Sequence, residues 1–169
     1  MSKRGILVMT VVAVALIFGV SSTVFAFGTK DLDNEKIAVN FQREVERGGY
    51  KVVSTVDLKS WIDQKTEMLI IDTMPFEDSY KKAHIPAALN LVFPIPEMSS
   101  IDDKTKSDLL KMLGPNKDRL IIFYCGFTQC TRSHNGAMWA VKLGYKNVYR
   151  YPGGIKAWDQ AEYPVEKAK

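Results

Sequence analysis

The residues with chemical potential gather in YCGFTQCTRS, residues 124–133. Cys125 and Cys130 are the only two cysteines of the chain, and Arg132 follows the second by two positions. Cys125 ends an apolar run and enters a short loop that leads into a helix starting near Thr131 to Ser133. Backbone N–H groups in such a loop converge on one point, and the helix start adds partial positive charge. Arg132 adds a full charge. These surroundings favour a thiolate and hold an anionic substrate beside it. Cys125 is therefore the expected nucleophile. Arg132, Gly126, Phe127, Thr128, Gln129 and Thr131 are the expected substrate-binding residues, with Phe127 and Gln129 shaping the pocket mouth. Ser133 is expected to cap the helix.

Other uses of the two cysteines stay open. Paired cysteines in an exported chain commonly form a disulfide. A separation of five residues permits one if the loop curls back on itself. So small a ring adds little stability, which suits a redox-sensitive bond better than a structural one. Cys130 would then protect or switch Cys125, or resolve a sulfur adduct on it. A metal site is not indicated, because His84 and His134 lack ligand spacing to the cysteines. No cofactor is called for.

The elements that must position this loop can be read from periodicity. Ile37, Phe41 and Val45 recur every four residues, which predicts an amphipathic helix over 34–47, closed by Gly48-Gly49. YKVVST reads as a short strand, and Ser54 or Thr55 then caps a helix that presents Leu58, Trp61 and Ile62 on one face. MLIID (68–72) and LIIFY (120–124) are apolar throughout, as in strands covered on both faces. HIPAALNLVFPIP reads as extended chain with turns. Helices are predicted over 102–113 and 132–143, a third strand at NVYRY, and a short helix after Gly153-Gly154 that carries Trp158 into the core. Alternating strands and helices predict an α/β fold with a central parallel sheet flanked by helices on both faces. In such sheets the site lies beyond the C-terminal strand ends. Asp72 and Cys125 both sit there.

The N-terminus has its own character. Lys3 and Arg4 precede the uncharged stretch Ile6 to Val20, and SSTVFA follows with Val24 and Ala26 placed for cleavage. Residues 1–26 read as a signal peptide, with an uncleaved membrane anchor over 6–27 as the alternative. Either way the remainder is expected outside the cytoplasm, in an oxidising or periplasmic setting. A membrane link is expected only in the uncleaved case. The net charge of +4 is modest and unclustered, which argues against nucleic-acid binding.

Over residues 50–166 the chain resembles the rhodanese-like, single-domain sulfurtransferases. The resemblance rests on Asp72, AHIPAALN at 83–90, FYC at 123–125, RS at 132–133, GYKNVYRYPGGIKAW at 144–158 and YPVE at 163–166. It also resembles an exported subgroup whose loop has a Cys-x4-Cys pattern followed by Arg-Ser. The resemblance implies a rhodanese-like domain over 50–169 behind a helical extension at 27–49. It implies that Cys125 takes a sulfane sulfur from thiosulfate or a similar donor. The sulfur is carried as a persulfide and passed to cyanide or a thiol, with Arg132 holding the anionic donor. The partners implied are a small-molecule or protein sulfur donor and a thiol acceptor. Asp72 and His84 are supporting residues, Asp72 through backbone N–H groups and His84 through a turn before Pro86.

The chain departs from the family pattern in places. Arg132 stands further from Cys125 than usual, so the loop is longer. Met74 stands where the family commonly has a basic residue. Ala83 and Ala87 replace glycines, and Cys130 is an addition. Competing functions are a thiol–disulfide or sulfur-relay protein using both cysteines, a cysteine phosphatase or arsenate reductase, and an idle binding module. Six residues separate Cys125 from Arg132, more than the oxyanion cradle of the phosphatases allows. The loop also lacks an evident general acid.

Overall fold

The computed structural model describes residues 30–169. The signal or anchor segment read at 1–26 lies outside the described residues. Among the described residues, no helix is long and apolar enough to cross a membrane.

Five parallel strands form one sheet in the order β1 (Lys51–Val52), β5 (Asn147–Tyr151), β4 (Leu120–Tyr124), β2 (Leu69–Asp72) and β3 (Leu89–Asn90). The apolar runs make the central strands β2 and β4, which are covered on both faces, and NVYRY makes β5 beside them with Arg150 buried among its apolar residues. The edge strands are two residues each. α1 (Asp31–Gly48) precedes the strands, α2 (Thr55–Asp63), α3 (Asp103–Leu113) and α4 (Thr131–Lys142) connect them, and α5 (Gly154–Gln160) follows them. Phe76–Tyr80 adds a single wide helical turn.

Strand alternation sorts the core into two layers. Leu69, Ile71, Ile121 and Phe123 face one way and pack with Leu109 and Leu113 of α3, Ala137 and Ala140 of α4, and Val45 of α1. Ile70, Ile122, Tyr124 and Tyr151 face the other way, against Leu58 of α2 and Trp158 of α5. The expected doubly covered parallel sheet is what forms. Helix starts follow the sequence: Ser54 Oγ accepts from the N–H of Asp57, and Asp102 accepts from that of Thr105. Gly49 and Gly114 close α1 and α3 at positive φ.

α1 is no loose extension. It packs on α4, and its Glu44 is 5 % exposed. Arg47 pairs with Glu97 at 2.7 Å, tying the same helix to the segment before α3.

Candidate active site

Cys125 follows β4 directly and is buried, and Cys130 is the N-cap residue of α4. The two sulfurs are bonded to each other, with their Cα atoms 6.3 Å apart, a separation a disulfide accommodates. The loop between them folds back on itself, as the Phe127 carbonyl accepts from the N–H of Cys130 at 3.0 Å.

The loop is held by its carbonyl oxygens. Those of Cys125 and Gly126 accept from the N–H groups of Ile155 and Lys156 at the start of α5, at 3.0 and 3.2 Å. Those of Thr128 and Cys130 accept from Nη2 of Arg150, at 2.9 and 3.1 Å. Among the described residues, no hydrogen bond occupies the N–H of Gly126, Phe127, Thr128 or Gln129. A loop whose oxygens are tied leaves its unengaged amides available to an anion.

Arg150 organises this arrangement, and sequence reasoning missed it. It sits mid-strand on β5 and is fully buried. All five of its N–H donors have partners. Nε meets Ser133 Oγ at 3.0 Å, Nη1 meets Glu44 at 2.5 Å and the Tyr50 hydroxyl at 3.1 Å, and Nη2 takes the two loop carbonyls. The Tyr50 oxygen accepts from Arg150, so its proton goes to His134 Nδ1, 2.9 Å away. The neutral His134 ring then carries its proton on Nε2, 3.4 Å from Glu97. Burial pushes the His134 pKa down, against the opposing pull of Glu97 and Glu44. A charged side chain amid the apolar residues of NVYRY was the available signal, since a buried arginine demands partners.

A cleft of about 630 Å³ opens beside the loop. Met74, Ile95, Pro96, Phe127, Gln129, Cys130, Thr131 and Arg132 line it, so its walls are largely apolar and one cation stands among them. Arg132 Nη1 donates to the Phe93 carbonyl, which orients the guanidinium at the wall. Asn135 of α4 fixes the segment that brings Ile95 and Pro96 to the wall. Its Nδ2 donates to the carbonyls of Pro94 and Pro96, and its Oδ1 accepts from the N–H of Met98.

The structure therefore gathers Phe127, Gln129, Thr131, Arg132 and Cys130 on one cleft, with Cys125 directly behind. The Thr128 side chain is not among those lining the cleft, and its carbonyl is held by Arg150. One expectation is corrected. Ser133 does not cap α4, because it lies inside the helix and its hydroxyl accepts from Arg150. Gly126 likewise stays behind the cleft, beside Met74.

The supporting residues lie outside the cleft. Asp72 Oδ1 accepts from the N–H of Met74 at 2.8 Å, so it shapes the strand exit below the loop. Burial raises the Asp72 pKa, while that N–H bond partly offsets the effect. His84 stacks on Tyr80 and its Nδ1 meets the Tyr80 carbonyl at 2.8 Å. Its backbone pairs with Glu166 near the C-terminus. Among the described residues, no cluster of His, Cys, Asp and Glu has the makings of a metal site.

Gly154 is the tightest point behind the loop. Its φ is +61°, and a Cβ there would lie 2.6 Å from the carbonyl carbon of Gly126 and against the Cys125 oxygen. Gly154→Ala is expected to cost at least about 2 kcal/mol, as strained φ and a backbone clash add. It should also lower activity, because the loop must move. Thermal melting and turnover of the pre-reduced variant check this.

Comparison with known proteins agrees with this architecture. A family model described as "Rhodanese-like domain" matches residues 54–161. The chain is 27% identical over 119 residues to the thiosulfate sulfurtransferase GlpE of Coxiella burnetii, spanning 70% of this chain and 95% of that protein. It is 30% identical over 108 residues to the sulfur carrier protein TtuD of Thermus thermophilus, spanning 61% of this chain and only 37% of that protein. Among solved structures, a thiosulfate sulfurtransferase from Pseudomonas aeruginosa superposes with a TM-score of 0.60 at 20% identity, covering 79% of this chain and 23% of that one. The polysulfide-sulfur transferase of Wolinella succinogenes does so with a TM-score of 0.57 at 11% identity, covering 84% and 95%. With the sheet order, the strand-end cysteine and the family match over most of its length in agreement, this chain belongs to the rhodanese-like domain family.

Proposed function

We propose that this protein is an exported sulfurtransferase that moves a sulfane sulfur from thiosulfate or a similar anionic donor to cyanide or a thiol, through a persulfide on Cys125. The observation that carries the reading is the loop itself. Its carbonyls are tied to Arg150 and α5, its amides are unengaged, and Cys125 stands where it begins, directly after β4. The family relatives named for sulfur transfer and sulfur carriage support the same general chemistry. Export is supported by the basic, apolar and small-residue order of residues 1–26.

The disulfide must first be reduced by a thiol. The Cys125 thiolate then attacks the outer sulfur of thiosulfate. The S–S bond of the donor breaks, sulfite leaves with the electron pair, and Cys125 holds an anionic persulfide. Unengaged amides and the α4 start stabilise that anion as they did the thiolate. Arg132 faces the cleft where the sulfonate group arrives and departs. The acceptor attacks the terminal sulfur and regenerates the thiolate. Thiocyanate formation from thiosulfate and cyanide by pre-reduced protein tests this. Arg132→Ala is expected to raise KM for thiosulfate by about 10-fold or more, the loss of one charge-assisted contact. Its melting temperature should change little, because Arg132 is only part-buried. An unchanged KM would remove Arg132 from the donor site.

A second reading is favoured by one observation, the Cys125–Cys130 bond. A thiol–disulfide or sulfur-relay redox protein would use both cysteines and cycle that bond. Failure of the reduced, folded Cys130→Ser protein to gain sulfur from thiosulfate would favour it.

A further inference from the structure

Cys130 is placed where a persulfide would be most exposed to it. Its sulfur reaches that of Cys125, it forms part of the cleft wall, and its carbonyl is fixed by Arg150. The same Arg150 nitrogen holds Thr128, and the N–H groups of Ile155 and Lys156 hold the carbonyls of Cys125 and Gly126, so both ends of the loop are restrained. Cys125 is buried behind the loop, while Cys130 meets the cleft into which a small anion can leave. Restraint of two reacting groups at this range makes their reaction effectively unimolecular.

We propose that Cys130 resolves the Cys125 persulfide and that the protein thereby reduces sulfane sulfur to sulfide. This rests on the sulfur-transfer reading above and adds an activity to it. The Cys130 thiol gives up its proton and its sulfur attacks the Cys125 sulfur. The Cys125–Cys130 bond forms, the bond to the terminal sulfur breaks, and that sulfur leaves with the electron pair and the proton as hydrosulfide. Summed with the first step, thiosulfate, one protein thiolate and one protein thiol become sulfite, hydrosulfide and a protein disulfide. The two cysteines are oxidised and the sulfane sulfur is reduced. The disulfide of the structure is the product state of this step. A dithiol, small or protein-borne, resets it by thiol–disulfide exchange.

Partition between acceptor and Cys130 follows from this. A thiophilic acceptor must reach the cleft before Cys130 closes on the persulfide. Without one, each chain turns over once and stops as the disulfide.

The full-length mature protein is reduced, freed of reductant and mixed with thiosulfate alone, with no thiol present. The wild type is expected to release about one hydrosulfide per chain and to lose two thiols, at a rate independent of protein concentration. Cys130→Ser and Cys130→Ala should gain one sulfur atom by mass and release sulfide only when a small thiol is added. Wild-type protein that keeps its added sulfur and releases no sulfide would overturn the proposal, even if neither variant folded. A folded Cys130 variant that takes up no sulfur would instead sink the Cys125 persulfide, and the resolving step with it.

Discussion

Cys125→Ser is expected to abolish sulfur transfer, with thiocyanate formation falling at least about 1,000-fold, as for loss of a covalent nucleophile. A serine hydroxyl cannot take a sulfane sulfur in a bond that an acceptor will reverse. The unengaged loop amides, Arg132 and the cleft would remain and would still bind thiosulfate. Binding without transfer is thus the signature sought. The substitution is nearly isosteric at a buried site, so melting under reducing conditions should fall by no more than about 1 kcal/mol of stability. Kinetics and melting curves on the same preparation separate loss of chemistry from loss of fold. Residual turnover within about tenfold of wild type would transfer the role elsewhere.

The second large effect belongs to Arg150. Arg150→Met leaves Glu44 buried with no cation and frees the carbonyls of Thr128 and Cys130. Breaking one side of a buried ion pair costs about 3–5 kcal/mol. A large drop in melting temperature alone would not distinguish a core residue from one that positions the loop. The double variant Glu44→Leu, Arg150→Met makes the distinction. With both charges gone, much of the stability should return, because no ion is left unpaired. Turnover should stay low, because nothing then holds the two loop carbonyls. Arg150 is in this sense a positioning residue, acting on the sulfur through the loop. Recovery of turnover along with stability would reduce the network to a structural brace.

Much of this fold was legible in the sequence. LIIFY forms a strand at the residues read, because an uninterrupted apolar run suits a strand covered on both faces, and NVYRY forms one at the residues read with Arg150 interrupting its apolar pattern. The strand read in YKVVST shrinks to Lys51–Val52, since an edge position pairs on one side only. The helix over 34–47 was also legible, though its purpose was not. Its apolar stripe suggested simple packing, and nothing local showed that Glu44 meets an arginine 106 residues away. Arg150 escaped for the same reason. Loop residues were read by proximity to Cys125, which worked for Phe127, Gln129 and Thr131 at the cleft. It gave no hint that the Thr128 carbonyl is held by Arg150 from another strand. Ser133 was read as a cap from its place near a helix start. Its true partner likewise lies on β5. Side-chain networks that bridge distant segments leave no periodic trace, whereas burial does.

The central claim is that Cys125 carries sulfur. Its most direct test is peptide mass mapping of pre-reduced Cys130→Ser protein after brief thiosulfate treatment, with blocking of free thiols before digestion. Removing Cys130 prevents any resolving step from erasing the adduct. The account predicts a gain of one sulfur atom on the peptide containing Cys125, absent when Cys125 is also replaced by serine. A folded protein with no added sulfur, or with the sulfur retained in the double variant, would contradict it.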